Sequence, residues 1–205
     1  LVPDKSTKDA MVLPEQFAQE WVTPGDWRME RIAKIYREYV RRLREANALD
    51  FDDIILHAVT LLQQFDEVRH YYQRKFRYVL IDEYQDTNNL QYLLSSLLAG
   101  ERSNICVVGD DDQSIYRFRG ANIENILSFE KDYPKARVIR LEQNYRSTRQ
   151  ILEASNAVIR HNEGRKGKTL WTENDSGEPV HIQTVFNESE EADFVAGQIL
   201  KEFSS

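Results

Sequence analysis

Two adjacent carboxylates, Asp82 and Glu83, directly follow the apolar run at residues 78–81. A continuous run of this kind predicts a strand buried on both faces, as in parallel sheets. Ligands of such sheets bind outside the carboxyl ends of the strands. Two carboxylates at a buried strand end are costly unless a cation or a reaction uses them. The pair therefore predicts either a catalytic sheet edge or, in the simpler alternative, a solvated acidic turn.

A second polar cluster follows the next apolar run, at residues 105–108. Gly109 permits a sharp turn or a close approach to a ligand. Three aspartates at 110–112 are easier to explain beside a cation, although an exposed loop also tolerates them. Gln113 offers an amide that could donate to a phosphate oxygen or orient a water. The alternating rings and guanidinium groups at 116–119 could stack on bases, or they could be core packing with surface charge.

A third predicted strand, at residues 137–141, leads to Tyr145 and Arg146. If the three strands are neighbours, carboxylates, an amide, an aromatic ring and a cation meet at one edge of a sheet. This combination is suited to a nucleoside triphosphate with magnesium.

The remaining elements follow from periodicity and capping signals. Asp50 is the expected N-cap of a helix that buries a stripe of apolar residues, and Ser147 or Thr148 is expected to cap a later one. Helices alternating with strands predict an α/β fold with a largely parallel sheet. The predicted helices are 15–21, 27–46, 50–65, 66–75, 88–99, 122–132, 147–160 and 190–203. The predicted strands are 78–81, 105–108, 137–141 and 180–185. The apolar stripe of the helix that follows Asp50 is Ile54, Ile55, Ala58, Val59 and Leu62.

Composition indicates a soluble globular protein, since the 205 residues are 41% hydrophobic and 30% charged. With no signal peptide, no membrane-length apolar run and the single Cys106, we expect a cytoplasmic, reducing location. The net charge of −7 argues mildly against broad non-specific binding to nucleic acid, although local patches can override it. The basic face of helix 27–46 could follow a phosphate backbone, or it is a solvated surface.

Three long motifs together give the chain a specific resemblance. The phrases IDEYQDTN at 81–88, VVGDDDQSIYRFRGA at 107–121 and LEQNYRST at 141–148 resemble motifs II, III and IV of the UvrD/Rep/PcrA group of superfamily-1 DNA helicases, in the family's order. The segments LDFDD at 49–53 and NIENILSFEKDYP at 122–134 are also similar. The likeness covers most of residues 27–205. It implies a RecA-like P-loop NTPase sheet with a helical insertion subdomain.

The resemblance implies a role for each matching residue. Asp82 corresponds to the acid that holds Mg²⁺, and Glu83 to the base that orients the attacking water. Gln85 and Gln113 correspond to residues linking the γ-phosphate of ATP to the DNA track. Tyr145 matches the ring stacked on adenine, and Arg146 an arginine that supports γ-phosphate charge. Contacts with single-stranded DNA are implied for Tyr116, Phe118, Arg119 and Phe51.

Two departures from the family pattern qualify these roles. The family usually has Trp where this chain has Phe118, which is expected to weaken stacking. The phosphate-binding loop Gly-x-x-x-x-Gly-Lys-[Ser/Thr] is missing, because the nearest match, at 162–169, begins with Asn162 and follows a helix. We interpret that match as an unrelated loop. The family's motifs V and VI are not found either.

The chain is therefore expected to be an internal fragment of a helicase, inactive alone. The predicted parts are a helical insertion at 1–49, the end of a first RecA-like domain at 50–144 and the start of a second at 145–205. The parent would use ATP and Mg²⁺ to move 3′ to 5′ on single-stranded DNA and at junctions with duplex, beside repair or replication proteins at the bacterial nucleoid. Two alternatives remain open, a non-catalytic nucleic-acid or partner-binding remnant and a piece of an AddA- or RecB-like helicase–nuclease subunit.

Overall fold

The computed structural model describes residues 5–102, 104–114, 120–162 and 167–204. The chain forms two compact units, the first extending to Ile139 and the second beginning at Arg140. The three-part domain division stays a prediction. The first unit contains α1 (Lys5–Asp9), α2 (Pro14–Glu20), α3 (Trp27–Glu45), α4 (Phe51–Gln64), α5 (Asp66–Lys75), β1 (Val79–Ile81), α6 (Asn89–Ala99), β2 (Ile105–Val107), α7 (Glu124–Leu127) and α8 (Phe129–Asp132).

The helix α3 begins and ends close to its predicted bounds. Asp26 caps its first turn, because its side chain accepts hydrogen bonds from the backbone N–H groups of Arg28 and Met29. Its buried side, at Ala33 and Tyr36, packs against Phe17 of α2. On the exposed side, Arg41 and Arg42 form ion pairs with Glu38 of the same helix.

The helix α4 starts as predicted, with Asp50 in a capping box: the Asp53 N–H donates to Asp50 Oδ1 over 2.8 Å. The predicted buried stripe is partly wrong. Val59 and Leu62 are buried, but Ile54 is 53% exposed and Leu56 is buried instead. The core side runs through 53, 56, 59 and 62 because α4 packs against α6, where Leu90 meets Leu56 and Val59.

A buried ionic cluster joins α1 to the start of α4. Lys8 Nζ lies 2.6 Å from Asp50 Oδ2 and 2.7 Å from Asp53 Oδ1, and its side chain is only 9% exposed. Tyr39 of α3 donates its hydroxyl to Asp50 over 2.8 Å. Burial alone would raise the pKa of Asp50, but the hydrogen bonds from Lys8, the Asp53 N–H and Tyr39 outweigh it and hold that pKa below the ordinary 3.8.

This cluster predicts a specific loss of stability in acid. Because the pKa of Asp50 is lowered on folding, its stabilising contribution is complete above the ordinary value and disappears as pH falls through the folded-state pKa. Replacing Lys8 with Met should cost about 3–5 kcal/mol at pH 7, since it leaves two carboxylates without their cation. It should also flatten the dependence of the free energy of unfolding on pH below about 4. Urea unfolding at a series of pH values measures both effects.

The matched control is Arg41→Met, which removes an exposed cation from Glu38. A surface ion pair of this kind contributes little to stability at pH 7, because solvent screens the two charges. Equal losses of stability at pH 7 in the two variants would show that the buried Lys8 cluster stabilises the fold no more than an exposed ion pair does.

The strands β1 and β2 pair in parallel, with Leu80 opposite Cys106. The prediction that the first strand is buried on both faces is wrong. Leu80 is 75% exposed and Cys106 is exposed, whereas Val79 and Ile81 are half-buried. Side chains alternate between the two faces of a strand. The helix α6 contacts β1, while the face that carries Leu80 remains open to solvent.

The predicted helix 122–132 is interrupted at Ser128, giving α7 and α8. The Ser128 N–H still bonds to the Glu124 carbonyl over 2.8 Å, but its hydroxyl contacts the carboxylate of Asp132 over 3.2 Å. Asp132 also accepts a hydrogen bond from Tyr92 of α6. The interruption thus lies where Asp132 is held by Ser128 and by Tyr92, and α7 itself contacts the turn at Tyr84–Asp86.

The second unit contains α9 (Arg149–Ile159) and α10 (Glu188–Ser204). The strands predicted at 137–141 and 180–185 are both wrong. Leu141 is 78% and Ile182 is 92% exposed, and neither segment has a strand partner among the described residues, so β propensity alone does not form a ladder. An isolated parallel bridge joins Gln143 to Trp171 instead.

The start of α9 also differs from prediction. Thr148 is the N-cap, but its side chain caps nothing. The carbonyl groups of Asp175 and Ser176 accept the first backbone N–H groups of the helix instead, from Arg149 and Gln150. None of the described helices is long and apolar enough to cross a bilayer.

Candidate functional site

The parallel pairing of β1 and β2 places the polar residues that follow them side by side. The Val108 N–H donates to the Ile81 carbonyl over 2.8 Å, and the Tyr84 N–H donates to the Val108 carbonyl over 2.9 Å. The chain segments containing Asp82–Glu83 and Gly109–Asp110 therefore leave the sheet together. This confirms, for two of the three predicted strands, that polar residues gather at one sheet edge.

Hydrogen bonds connect Glu83 to Gln113 through two intermediate residues, Gln85 and Asp110. Gln85 Nε2 donates to Glu83 Oε2 over 2.7 Å, and Gln85 Oε1 accepts the Asp110 N–H over 3.0 Å. Asp110 Oδ2 in turn accepts from Gln113 Nε2 over 2.9 Å. Three predicted site residues thus lie in one network, with Asp110 as an added member. These bonds form a continuous series of contacts between Glu83 and Gln113.

The centre of this network is deeply buried. Gln85 is 1% exposed, and the neighbouring Tyr84 is completely buried with its ring edge-to-face against Phe129, 5.8 Å between centroids. Burial raises the pKa of Tyr84 to about 12. Gly109 is required for the close approach, since a Cβ there would lie 2.6 Å from Gln85 Oε1.

Glu83 has a backbone conformation that is unusual for a residue with a side chain. Its φ of +50° is in the left-handed region, between the end of β1 and the turn at Tyr84–Asp86. Such conformations persist where surrounding contacts enforce them, often at functional sites. Asp82 and Glu83 are both exposed, so the burial cost expected for them is absent. Their carboxylates instead face solvent, which a hydrated cation or a substrate can reach.

The three aspartates after Gly109 lie close together, with one carboxylate oxygen of each within 4.8 Å of the others. Asp110 is already engaged, because its Oδ1 accepts the Asp112 N–H and its Oδ2 accepts from Gln113. The described part of the chain therefore gives Asp110 a structural explanation that does not need a cation.

Tyr145 and Arg146 lie in the second unit, in a turn held by two asparagines. Asn144 Oδ1 accepts the backbone N–H groups of Arg146 and Ser147, at 3.0 and 2.8 Å. Asn174 Nδ2 donates to the carbonyl groups of Tyr145 and Ser147. Both predicted side chains are exposed, Tyr145 by 78%. The turn therefore presents a ring and a guanidinium group to solvent.

The predicted nucleic-acid contacts are only partly described. Phe51 is the first residue of α4 and is 87% exposed. Tyr116, Phe118 and Arg119 lie outside the described residues, as do residues 163–166 of the loop interpreted as unrelated to phosphate binding. The described part of that segment does follow a helix, α9, as expected.

Sequence reasoning did not single out Asp110, Asn144 or Asn174. The run of three aspartates marks Asp110 as polar, but nothing in the sequence distinguishes it from Asp111 and Asp112. The two asparagines form hydrogen bonds with backbone groups of a turn. The sequence gives a weak indication of this role for Asn144, which directly precedes Tyr145, and no indication for Asn174.

Most of the chain matches two known protein-family domains. Residues 4–134 match the UvrD/REP helicase N-terminal domain, and residues 139–204 match the UvrD-like helicase C-terminal domain. The chain therefore belongs to the UvrD/Rep helicase family, which confirms the resemblance seen in its motifs.

Individual helicases are also similar to this chain in sequence. The ATP-dependent DNA helicase PcrA of Staphylococcus aureus (strain Mu50) is 53% identical over 176 residues, covering 86% of this chain and 24% of the relative. PcrA of Bacillus subtilis (strain 168) is 50% identical over 194 residues, 95% of this chain and 26% of the relative. PcrA of Staphylococcus epidermidis is 48% identical over the same length. The chain spans about a quarter of these relatives.

Proposed function

We propose that this chain is the central part of an ATP-driven DNA helicase and that its first unit couples nucleotide hydrolysis to DNA binding. The observation that supports this most directly is the hydrogen-bonded series Glu83–Gln85–Asp110–Gln113. The series connects the proposed catalytic base, Glu83, to Gln113. In the sequence, Gln113 comes shortly before the aromatic and basic segment at 116–119. The fold would be a RecA-like sheet with a helical insertion.

In this proposal, Glu83 accepts a proton from the attacking water while Gln85 fixes the orientation of its carboxylate. Gln113 contacts the γ-phosphate, and its hydrogen bonds through Asp110 and Gln85 link this contact to Glu83. Tyr145 stacks on adenine, and Arg146 neutralises charge on the transferring phosphoryl group.

Magnesium fits this site through Asp82. Mg²⁺ prefers one or two carboxylate oxygens and keeps several waters. Asp82 is exposed, and its Oδ1 accepts the backbone N–H of the adjacent Glu83. The ion would supply charge neutralisation for the phosphates. Asp82 would hold it through water, leaving Glu83 free for proton transfer.

Phe51, Tyr116, Phe118 and Arg119 would contact single-stranded DNA, with aromatic rings stacking on bases. The whole protein would translocate 3′ to 5′, unwind junctions of single- and double-stranded DNA, and act with repair or replication proteins in the bacterial cytoplasm at the nucleoid.

The test compares phosphate release by a full-length protein that contains this chain with release by residues 1–205 alone. We expect hydrolysis of ATP by the full-length protein to be strongly stimulated by single-stranded DNA. The 205-residue chain should be inactive, because it has no lysine loop for the β- and γ-phosphates. A full-length protein that binds DNA without hydrolysing ATP would favour the non-catalytic alternative. A nuclease domain downstream would favour the helicase–nuclease subunit.

A further inference from the structure

The Lys8 ion cluster has no part in the chemistry proposed above, yet it is one of the most buried charged groups described. Lysine is almost never buried without a partner, and a buried ion pair is often no more stabilising than apolar residues of similar volume. We therefore ask what the cluster holds in place, and not how much it adds to the stability of the fold. The cluster lies at the first turn of α4.

The cluster fixes the backbone immediately around Phe51. Asp50, which precedes Phe51, accepts hydrogen bonds from Lys8, from Tyr39 and from the Asp53 N–H. Lys8 also binds Asp53, two residues after Phe51. At 87%, the Phe51 ring is the most exposed large apolar side chain described in the first unit. A precisely anchored turn thus presents an aromatic ring to solvent.

The helix α1, which contains Lys8, is also held by contacts of Asp9 outside the ionic cluster. Asp9 Oδ1 accepts from Asn88 Nδ2 over 2.8 Å, at the N-cap of α6. A Cβ on Gly120, which has a φ of +91°, would lie 2.8 Å from Asp9 Oδ2. Gly120 directly follows the segment at 115–119. The position of Lys8 is therefore supported by the start of α6 as well as by α4.

We propose that Lys8 is a positioning residue for single-stranded nucleic acid, holding the first turn of α4 so that the Phe51 ring is presented for stacking on a base. The proposal rests on the DNA-contacting role of Phe51 proposed above. It adds α1, through Lys8, to the elements that shape the binding surface.

The experiment is a double-mutant cycle in a full-length protein that contains this chain. Binding of a fluorescent oligothymidylate is measured for the wild type, Lys8→Met, Phe51→Ala and the double variant. Loss of one stacked ring weakens binding by about five-fold or more. We expect Lys8→Met to weaken binding comparably in the wild type but to have little further effect when Phe51 is already Ala, since the two changes then remove the same contact.

Two further variants separate positioning from stability. Leu62→Ala removes a buried side chain from the same helix, about three turns from Phe51, and should lower the melting temperature without weakening oligonucleotide binding. Tyr39→Phe removes one hydrogen bond from Asp50 without leaving a buried charge. If Lys8→Met does not fold, Tyr39→Phe replaces it in the cycle, with a smaller weakening expected.

The outcomes are distinguishable. Failure of the wild type to bind the oligonucleotide would overturn the proposed function together with this inference. Binding by the wild type that Lys8→Met leaves unchanged, or weakens equally with and without Phe51, would overturn the inference alone. Equal weakening by Leu62→Ala would also overturn it, because the effect would then follow from stability.

Discussion

Replacing Glu83 with Gln lowers the kcat for ATP hydrolysis by about 10²- to 10⁴-fold in a full-length protein that contains this chain, the range expected for losing a general base. The substitution preserves shape, and the new amide oxygen can still accept the hydrogen bond from Gln85 that Glu83 Oε2 accepts now. The buried position of Gln85 should therefore be unchanged. What disappears is the ability to take a proton from water.

The measurement is single-turnover phosphate release, with nucleotide and oligonucleotide binding determined separately. Both affinities should stay within about two-fold, a difference below 0.5 kcal/mol. Glu101→Gln is the matched control, because Glu101 is another exposed carboxylate of the first unit that lies outside the network. Retention of more than a tenth of the wild-type rate by Glu83→Gln would assign the base to another group.

Replacing Arg146 with Ala has the second large expected effect, on turnover rather than on DNA binding. Arginines that neutralise a transferring phosphoryl group are worth about 10³- to 10⁵-fold in rate. Arg146 is exposed, and its backbone is held by Asn144 independently of its side chain. Truncation to Ala should therefore leave the turn intact and remove only the cation.

Steady-state hydrolysis and oligonucleotide titrations on the same preparations test this prediction. Arg160→Ala, which removes an exposed guanidinium after the last turn of α9, should leave kcat unchanged and serves as the control. If Arg146→Ala reduces kcat and oligonucleotide affinity by equal factors, the arginine belongs to the DNA-binding surface and not to the hydrolytic site.

The family and most of the longer helices were accessible from the sequence, because their signals are local or follow recognisable motifs. Asp26, Asp50 and Asn88 each cap a helix through contacts three residues away or fewer. Such short-range contacts leave a readable pattern. The phrases around Glu83, Gln113 and Arg146 likewise define the family without any knowledge of packing.

Strands and burial were less predictable, since they depend on partners distant in sequence. The run at 78–81 was correctly assigned to a strand, but its exposure depends on what covers Leu80. The segments at 137–141 and 180–185 have suitable residues and no strand partner among the described residues. A ladder needs two segments, whereas a helix satisfies its backbone from within.

By itself, the sequence determined which residues are available for chemistry and where most of the longer helices would form, because motifs and caps are short-range features. Only the tertiary structure decided that Gln85 and Asp110 connect Glu83 to Gln113, and that Lys8 reaches the start of α4 from 42 residues away. These contacts arise where segments distant in sequence pack together, and the pairing of β1 with β2 and of α1 with α4 creates them.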